Sequence, residues 1–214
     1  NGDVFEGEYV KGKREGYGTY TFPDGEKYEG QWFQDQQHGK GIYYFMNNNR
    51  YDGMWFQDYQ QGKGTMYYYT GDIYEGDWVN DKREGQGTYT WKNGSKYEGS
   101  WKNDKKEGKG TFVWNDGCKY EGDWKNDVRD GKGTFEYANG DKYVGNFKDG
   151  MQDGKGTFTW ANGAVYEGDW KNNKREGKGI YKWSNGDVYE GDWKNNRPHG
   201  QGSLKTVAGM QYKG

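Results

Sequence analysis

The sequence repeats itself every 23 residues. YEGDWVNDKREGQGTYTW begins at Tyr74, YEGSWKNDKKEGKGTFVW at Tyr97 and YEGDWKNDVRDGKGTFEY at Tyr120. Nine copies of equal length follow one another, here called repeats 1 to 9, with positions 1 to 23 counted from the leading Tyr or Phe. They cover residues 5–27, 28–50, 51–73, 74–96, 97–119, 120–142, 143–165, 166–188 and 189–211, with partial repeats at both ends. A strict period of this length predicts one stacked unit per repeat, so residues 1–214 are interpreted as a single array.

The apolar residues within a repeat predict strands. Large aromatics or glycine occupy positions 1, 3, 5 and 14 and nearly all copies of positions 16 and 18, which is an alternation of two. Each repeat is therefore predicted to be a hairpin turning at about positions 7 to 12, with position 5 opposite 14, 3 opposite 16 and 1 opposite 18. In this arrangement aromatic rings fill the space that glycine leaves open, so few aliphatic residues are needed.

The connection between hairpins is predicted to be a three-residue turn at positions 19 to 21. A two-residue turn would place the next repeat on the wrong face, whereas three residues keep the faces aligned. Pro23, Asp24 and Gly25 suit it, with proline in the helical region and glycine in the left-handed one. The predicted fold is all-β: an elongated, twisted, single-layer array of antiparallel β-hairpins, each advancing about 10 Å.

Composition excludes several classes of protein. Hydrophobic residues make up only 30%, but aromatics reach 19%, which is too high for a disordered chain. A formal net charge of −2 is not typical of a nucleic-acid-binding or polybasic protein. The single cysteine, Cys118, excludes an internal disulfide framework and suits a reducing compartment. The first residue is not Met and the last residues, YKG, open another repeat, so the chain is interpreted as a segment of a longer array.

The consensus YEGDWKNxKREGKGxYxWxNGD resembles the MORN repeat (membrane occupation and recognition nexus), and the resemblance covers essentially the whole chain. It implies a hairpin array without catalytic activity. Similar arrays occur in radial-spoke head proteins of cilia, in parasite cytoskeletal scaffolds, in junctophilins, beside a histone methyltransferase domain and before the kinase domain of plant phosphatidylinositol phosphate kinases. Family themes are recognition of a partner helix or tail, end-to-end self-association and a proposed lipid-binding role. The run from 38 to 56 looks most like a radial-spoke or cytoskeletal member.

The polar residues favour no catalytic or metal site. Gly-X-Gly recurs nine times but is followed by a strand, whereas a phosphate loop is followed by a helix. The carboxylates at positions 2 and 11 form a periodic ladder, which is typical of a solvated face. His38 and His199 each lie without a second ligand nearby in sequence, and Cys118 stands alone. We therefore expect no cofactor, no metal and no enzymatic activity.

A lysine column at position 6 is the candidate lipid-binding site. Its regular spacing could match lipid head groups. Three aspartates at position 4 share the same predicted face, and we expect them to screen the lysines: Asp123, Asp169 and Asp192. The column consists of Lys102, Lys125, Lys148, Lys171 and Lys194.

Repeats 2 and 3 carry the candidate partner-binding patch. Position 6 is Phe33 and Phe56, and position 17 is Tyr44 and Tyr67, on the face predicted to lie opposite the tryptophans. Exposed rings on a polar face predict a binding surface, unless flanking sequence covers them.

The preferred interpretation is a non-catalytic protein-binding scaffold of a cytoskeletal or axonemal assembly, in the cytoplasm, cytoskeleton or cilium. It would bind a partner helix or tail and could self-associate end to end through its C-terminal repeats. The alternative is a membrane-apposition or phosphoinositide-binding module, attached to a phosphatidylinositol phosphate kinase.

Overall fold

The computed structural model describes residues 2–214 and is all-β, with nineteen antiparallel strands and no helix in that range. The chain forms two compact units, Asn1–Lys106 and Glu107–Gly214, with the boundary inside the tenth strand. The strands of the first unit are β1 (Val4–Val10), β2 (Lys13–Thr21), β3 (Lys27–Phe33), β4 (Gln36–Tyr44), β5 (Arg50–Phe56), β6 (Tyr59–Tyr67), β7 (Ile73–Val79), β8 (Lys82–Thr90) and β9 (Lys96–Lys102). The remaining strands are β10 (Lys105–Val113), β11 (Lys119–Lys125), β12 (Val128–Glu136), β13 (Lys142–Lys148), β14 (Met151–Thr159), β15 (Val165–Lys171), β16 (Lys174–Lys182), β17 (Val188–Lys194), β18 (Arg197–Lys205) and β19 (Gln211–Lys213).

Within each unit every strand pairs with the next one in sequence, as the repeat period predicted. Each repeat forms one hairpin, and the following repeat adds the next hairpin to the same sheet of its unit. No helix that could cross a membrane occurs among the described residues.

The predicted register inside the hairpin is wrong by two residues. Position 1 faces position 16, as in Tyr120 opposite Phe135, and glycine faces glycine, as in Gly122 opposite Gly133. The predicted turn over positions 7 to 12 is also wrong, because the turn consists of positions 7 and 8 alone. Both residues of that turn have positive φ in every repeat, as in Asn126 (47°) and Asp127 (70°), which is the geometry of a type I′ hairpin turn.

A β-bulge in each hairpin allows a two-residue turn while keeping the aromatic side chains of both strands on one face of the sheet. Trp124 at position 5 faces Arg129 at position 10, so three residues lie opposite the single residue between Gly122 and Trp124. Within that bulge, position 12 is a glycine with positive φ in all nine repeats, for instance Gly131 at 110°. The glycine at position 12 is therefore required by its backbone conformation, and not only by clearance opposite a tryptophan.

The connection between hairpins has the predicted three-residue form. In repeat 1 the Gly25 amide donates to the Phe22 carbonyl at 3.0 Å, and the Phe22 amide donates to the Glu26 carbonyl at 2.9 Å. Gly25 has a φ of 95°, in the left-handed region. Asp24 caps the turn by accepting the Glu26 amide at 3.0 Å, which explains the recurrent Asn or Asp at position 20.

The core consists of rings packed on one face of the sheet, here called the tryptophan face. The Tyr74 ring has no solvent exposure and lies between Trp78 and Trp101, each with its centroid at 5.2 Å in T-shaped geometry. It covers Gly76 and Gly87, where an added Cβ would overlap the ring. The Trp78 indole donates to the Gly64 carbonyl at 3.0 Å, which ties each repeat to the one before it. Glycine thus makes room for the tyrosine of its own repeat.

Candidate binding surfaces

Phe33, His38 and Phe56 form a stack of rings on the face opposite the tryptophans, here called the polar face. The ring centroids of Phe33 and His38 are 5.6 Å apart, and those of His38 and Phe56 are 5.3 Å apart. Phe33 is 51% exposed and Phe56 is 50% exposed. These two phenylalanines lie where the sequence predicted, since position 6 alternates away from the buried tryptophan at position 5.

The bulge brings position 11 onto the same surface. In other repeats a side chain at position 11 accepts the amide of the next hairpin turn, as Glu84 does from Asn103 at 2.8 Å. In repeat 2 this position is His38, whose ring lies between the two phenylalanines instead. Sequence reasoning considered His38 only as a metal ligand and missed its role in this stack.

Three further exposed side chains extend the stack. Tyr59 pairs directly with Phe56 across the hairpin. Met54 lies two residues before Phe56 on β5, so both side chains point to the polar face. Tyr17 pairs across the strands with Gln31, which lies two residues before Phe33, so Tyr17 is on that face as well. We call this surface the ring patch, and it consists of Tyr17, Phe33, His38, Met54, Phe56 and Tyr59.

The structure does not bring Tyr44 and Tyr67 into the ring patch. Tyr44 pairs with Lys27, at the opposite end of β3 from Phe33. Six residues of strand separate them, or about 20 Å. Each tyrosine lies under a cation: the Lys27 ammonium is 4.5 Å from the Tyr44 ring centroid, and the Arg50 guanidinium carbon is 4.2 Å from that of Tyr67. Both rings are half-buried and form a separate surface on the same face.

The position-4 aspartates do not screen the lysine column at position 6, contrary to expectation. Each aspartate pairs with the lysine at position 13 of the preceding repeat, at 2.6 Å for Lys63 and Asp77 and 2.5 Å for Lys155 and Asp169. We call these pairs the Asp–Lys ladder, and its members are Lys63–Asp77, Lys109–Asp123, Lys155–Asp169 and Lys178–Asp192.

The ladder lowers the pKa of its aspartates. Partial burial raises the pKa of Asp77, but the hydrogen bonds from Lys63 and from the Gln86 amide outweigh burial and hold it below its usual range. For Asp192, the hydrogen bond from Lys178 is the main reason that its pKa is lowered. These carboxylates are therefore charged and already engaged at neutral pH.

The lysine column itself is exposed. Lys102 lies in the first unit, and the other four lysines lie in the second. Within residues 2–214 none of the five side chains forms an ion pair. The remaining members of the column are Lys125, Lys148, Lys171 and Lys194.

No group of three or more His, Cys, Asp or Glu side chains that could hold a metal is present in residues 2–214. The Cys118 thiol is half-buried, and its amide donates to Asp116 at 2.9 Å as part of a turn. His199 is exposed on β18. His38, His199 and Cys118 therefore belong to no cluster of metal-ligand side chains within residues 2–214.

Position 10 was missed by the sequence reasoning. It lies on the tryptophan face, where Arg129 and Arg175 stand over aromatic rings, with the Arg175 guanidinium 4.6 Å from Trp193. Gln152 takes the same place between them and donates to the Tyr137 hydroxyl at 3.1 Å. These side chains border a cavity of about 480 Å³. The signal available in the sequence was the restriction of position 10 mostly to Arg or Gln on an otherwise aromatic face.

The family model for the MORN repeat matches nine consecutive segments over nearly the whole chain. The matched residues are 5–27, 28–50, 51–73, 74–96, 97–119, 120–142, 143–165, 166–188 and 189–210. The chain belongs to the MORN repeat family. The matched segments follow one another without a gap from residue 5 to residue 210.

Solved structures with a similar fold include two domains of the protein CPAP. The TCP10 domain of Danio rerio CPAP, in complex with a peptide of Danio rerio STIL, is 12% identical over 98% of this chain and 97% of that chain, with a TM-score of 0.54. The CPAP G-box domain is 13% identical over 93% and 98%, with a TM-score of 0.52. At these identities the likeness concerns the fold. No curated protein sequence matches the chain.

Proposed function

We propose that these MORN repeats are a non-catalytic protein-binding scaffold, and that a partner helix or extended tail docks on the polar face. The observation that carries this proposal is the ring patch: four aromatic side chains and a methionine are exposed around His38, on a face where other repeats carry mainly charged or polar side chains and single valines. Rings in this setting contribute nothing to the core, which lies on the other face. An exposed apolar surface of this kind is typical of an interaction site.

The chemistry of the patch indicates its partner. Large flat rings bury much apolar area when an apolar side chain covers them, and such anchors dominate interfaces. Lys40 pairs in register with Met54 instead of an aspartate, so its ammonium lacks the carboxylate that the Asp–Lys ladder supplies elsewhere. We therefore expect a partner segment with apolar anchors and an acidic side chain. Tyr44 and Tyr67, about 20 Å away along the strands, would be a second and weaker contact for an extended partner.

The similar structures support this proposal at the level of the fold. The CPAP TCP10 domain has a similar fold and is solved in complex with a peptide of STIL. A scaffold role in a cytoskeletal or axonemal assembly, in the cytoplasm, the cytoskeleton or a cilium, is the setting that we propose for this chain. The proposal includes end-to-end self-association through the C-terminal repeats, which sedimentation velocity over a range of concentrations tests; a constant sedimentation coefficient would exclude it.

The test of the main proposal is the double variant Phe33→Glu/Phe56→Glu. Because both rings face solvent, we expect unchanged circular dichroism and melting, but loss of the partners that the wild-type chain retrieves from cell extract. Direct titration with a purified partner should show about 30- to 1000-fold weaker binding, the usual effect of charging an anchor. The matched control is Val79→Glu/Val128→Glu, which replaces two exposed apolar side chains of the polar face outside the ring patch and changes the net charge by the same amount.

Two results would contradict the proposal. Unfolding of the Phe33→Glu/Phe56→Glu variant would mean that these rings belong to the core. Retention of every partner by a folded variant would mean that the ring patch is not the docking surface.

A second candidate function is phosphoinositide binding or membrane apposition, as a module attached to a phosphatidylinositol phosphate kinase. It is favoured by the exposed lysine column, whose charges the Asp–Lys ladder leaves unpaired. Vesicle sedimentation with and without a phosphoinositide tests it. The triple variant Lys125→Glu/Lys148→Glu/Lys171→Glu should lose binding if the column is the site, and equal sedimentation of wild type and variant would exclude that site.

A further inference from the structure

Each carboxylate of the Asp–Lys ladder is held by two donors. Asp123 pairs with the Lys109 ammonium, and its other oxygen accepts the Lys132 backbone amide at 2.9 Å. Asp169 is held in the same way by Lys155 and by the Lys178 amide, also at 2.9 Å. The sheet therefore presents, on its polar face, a repeated pair of donors that fits a carboxylate between one hairpin and the next.

Repeat 7 keeps the donors and lacks the acid. Lys132 pairs in register with Asn146, which stands where the aspartate would be, and Val144 replaces the glutamate at position 2. Among residues 2–214 the Lys132 ammonium forms no ion pair or hydrogen bond, and the Lys155 amide bonds to no side chain. Both acids that the consensus places beside Lys132 are thus absent from the same repeat.

The remaining charges around Lys132 are already engaged. Asp123 senses Lys132, which helps to lower its pKa, but burial and the hydrogen bonds from Lys109 and from the Lys132 amide act more strongly. The Lys155 ammonium belongs to its ladder partner, at 2.5 Å. Glu121 on the neighbouring hairpin is 3.4 Å from Lys119. Within the described residues of the second unit, Lys132 is therefore the one lysine at position 13 that has no aspartate opposite it.

A cavity of about 820 Å³ lies over this place on the polar face. Its lining includes Lys132, Asn146, Val144 and Glu121, together with the paired ladder lysines Lys109 and Lys155. Val144 is 47% exposed beside the ammonium, so an apolar surface adjoins a free positive charge. A groove that combines a positive charge with an adjacent apolar surface fits a peptide in which an acidic residue lies next to an apolar one.

We propose that this groove is a binding site for an acidic side chain of an extended peptide, with Lys132 as the ion-pair donor, the Asn146 amide as a second donor and Val144 as the contact for an adjacent apolar residue. The incoming carboxylate replaces the one that repeat 7 lacks. A carboxylate is favoured over a phosphate because a single ammonium flanked by neutral donors is the environment in which this chain holds its own aspartates. The site lies in the second unit and is independent of the ring patch.

The test uses the whole chain and a capped hexapeptide of alternating valine and glutamate, followed by ¹H–¹⁵N correlation spectra. We expect saturable shifts of the Lys132, Asn146 and Lys155 amides. Asn146→Asp, which restores the residue found in four other repeats, should fold normally and reduce the affinity at least tenfold, because its own carboxylate takes the place of the ligand. Lys132→Gln should reduce it similarly.

The control variant is Ser100→Asp, which adds the same residue at position 4 of repeat 5 and should leave binding unchanged. A valine–glutamine peptide should not shift the three amides. Equal binding by Asn146→Asp, or equal shifts with the glutamine peptide, would overturn the proposal. Shifts at these amides with inorganic phosphate but not with the glutamate peptide would overturn the assignment of a carboxylate ligand.

Discussion

Gly87→Ala should destabilise repeat 4 through one specific overlap. A Cβ on Gly87 would lie 2.5 Å from Cε2 of the Tyr74 ring, far closer than carbon atoms approach in proteins. The ring cannot move aside, because Trp78 and Trp101 hold it from both sides at 5.2 Å. Its hydroxyl also donates to the Asp77 carbonyl at 3.0 Å.

The cost follows from the two ways in which the overlap can be relieved. Separating the strands or tilting the ring is overpacking, which costs about 1 to 3 kcal/mol. Expelling the ring forfeits a buried aromatic, which costs about 3 to 5 kcal/mol. We therefore expect the free energy of unfolding of this region to fall by about 2 to 4 kcal/mol.

The control substitution is Gly94→Ala in the following turn. Gly94 has a φ of 89° and nothing within 4 Å of a built Cβ, so alanine there meets only backbone strain, about 1 to 2 kcal/mol. The decisive measurement is a double-mutant cycle with Tyr74→Leu. Gly87→Ala should cost at least about 1 kcal/mol less in the Tyr74→Leu background, whereas Gly94→Ala should cost the same in both.

Native-state hydrogen exchange of the repeat 4 amides measures these costs locally. A local measurement is needed because repeat arrays unfold in parts, so one global midpoint does not report one free energy. If Gly87→Ala costs the same with and without the Tyr74 ring, glycine recurs at position 14 of the repeat for another reason, and the account of the core is wrong.

Four further outcomes are expected. Trp124→Phe should lose about 1 kcal/mol, since the indole donates to the Gly110 carbonyl at 3.0 Å, and local hydrogen exchange will measure the loss. Asn146→Asp should raise the local stability of repeat 7 by up to about 1 kcal/mol, measured by native-state hydrogen exchange, because it completes an exposed ladder pair. The ladder aspartates have lowered pKa values in the folded chain, so the stability that they contribute is fully present above the unfolded pKa near 4. This stability is lost as the pH falls through the lower folded pKa. Melting temperatures should therefore decline below about pH 4, and they should decline less in a variant whose ladder lysine is changed to glutamine. Repeat 9 should exchange its amides faster than repeat 6, because Tyr189 is only half-buried against Trp193, whereas Tyr120 is buried between Trp124 and Phe147; equal protection would contradict this.

The period and the faces could be predicted from the sequence, but the register could not. Alternation assigns Trp124 and Tyr120 to one face whatever residue each of them pairs with. The register depends on the backbone at Gly131, whose positive φ inserts a bulge, and a glycine in a sequence does not state which of its allowed conformations it adopts. The Asn126–Asp127 pair did carry a signal for the short turn, since both residue types tolerate positive φ.

The exposure of Phe33 and Phe56 could also be predicted, because it follows from alternation alone. The position of His38 between them could not, since the bulge is what turns position 11 onto their surface. For Tyr44 and Tyr67, the sequence showed the correct face, but distance along the strand depends on register. Tyr44 and Tyr67 are half-buried because each pairs across the strands with a cation, Lys27 or Arg50. The predicted register was wrong, so it did not indicate these pairs.

The tryptophan face is the packed core and the polar face is exposed, so a residue that differs from the repeat consensus has different consequences on each. On the tryptophan face, a tyrosine such as Tyr74 is enclosed by two rings and two glycines, so a changed residue there must first preserve packing. On the polar face, the interactions are exposed pairs worth little to stability individually. A substitution such as Phe33 or Asn146 therefore costs the fold little and leaves a ring uncovered or a charge unpaired. Because the fold does not require either residue, the proposed binding at both places can be tested by substitutions that leave the core intact.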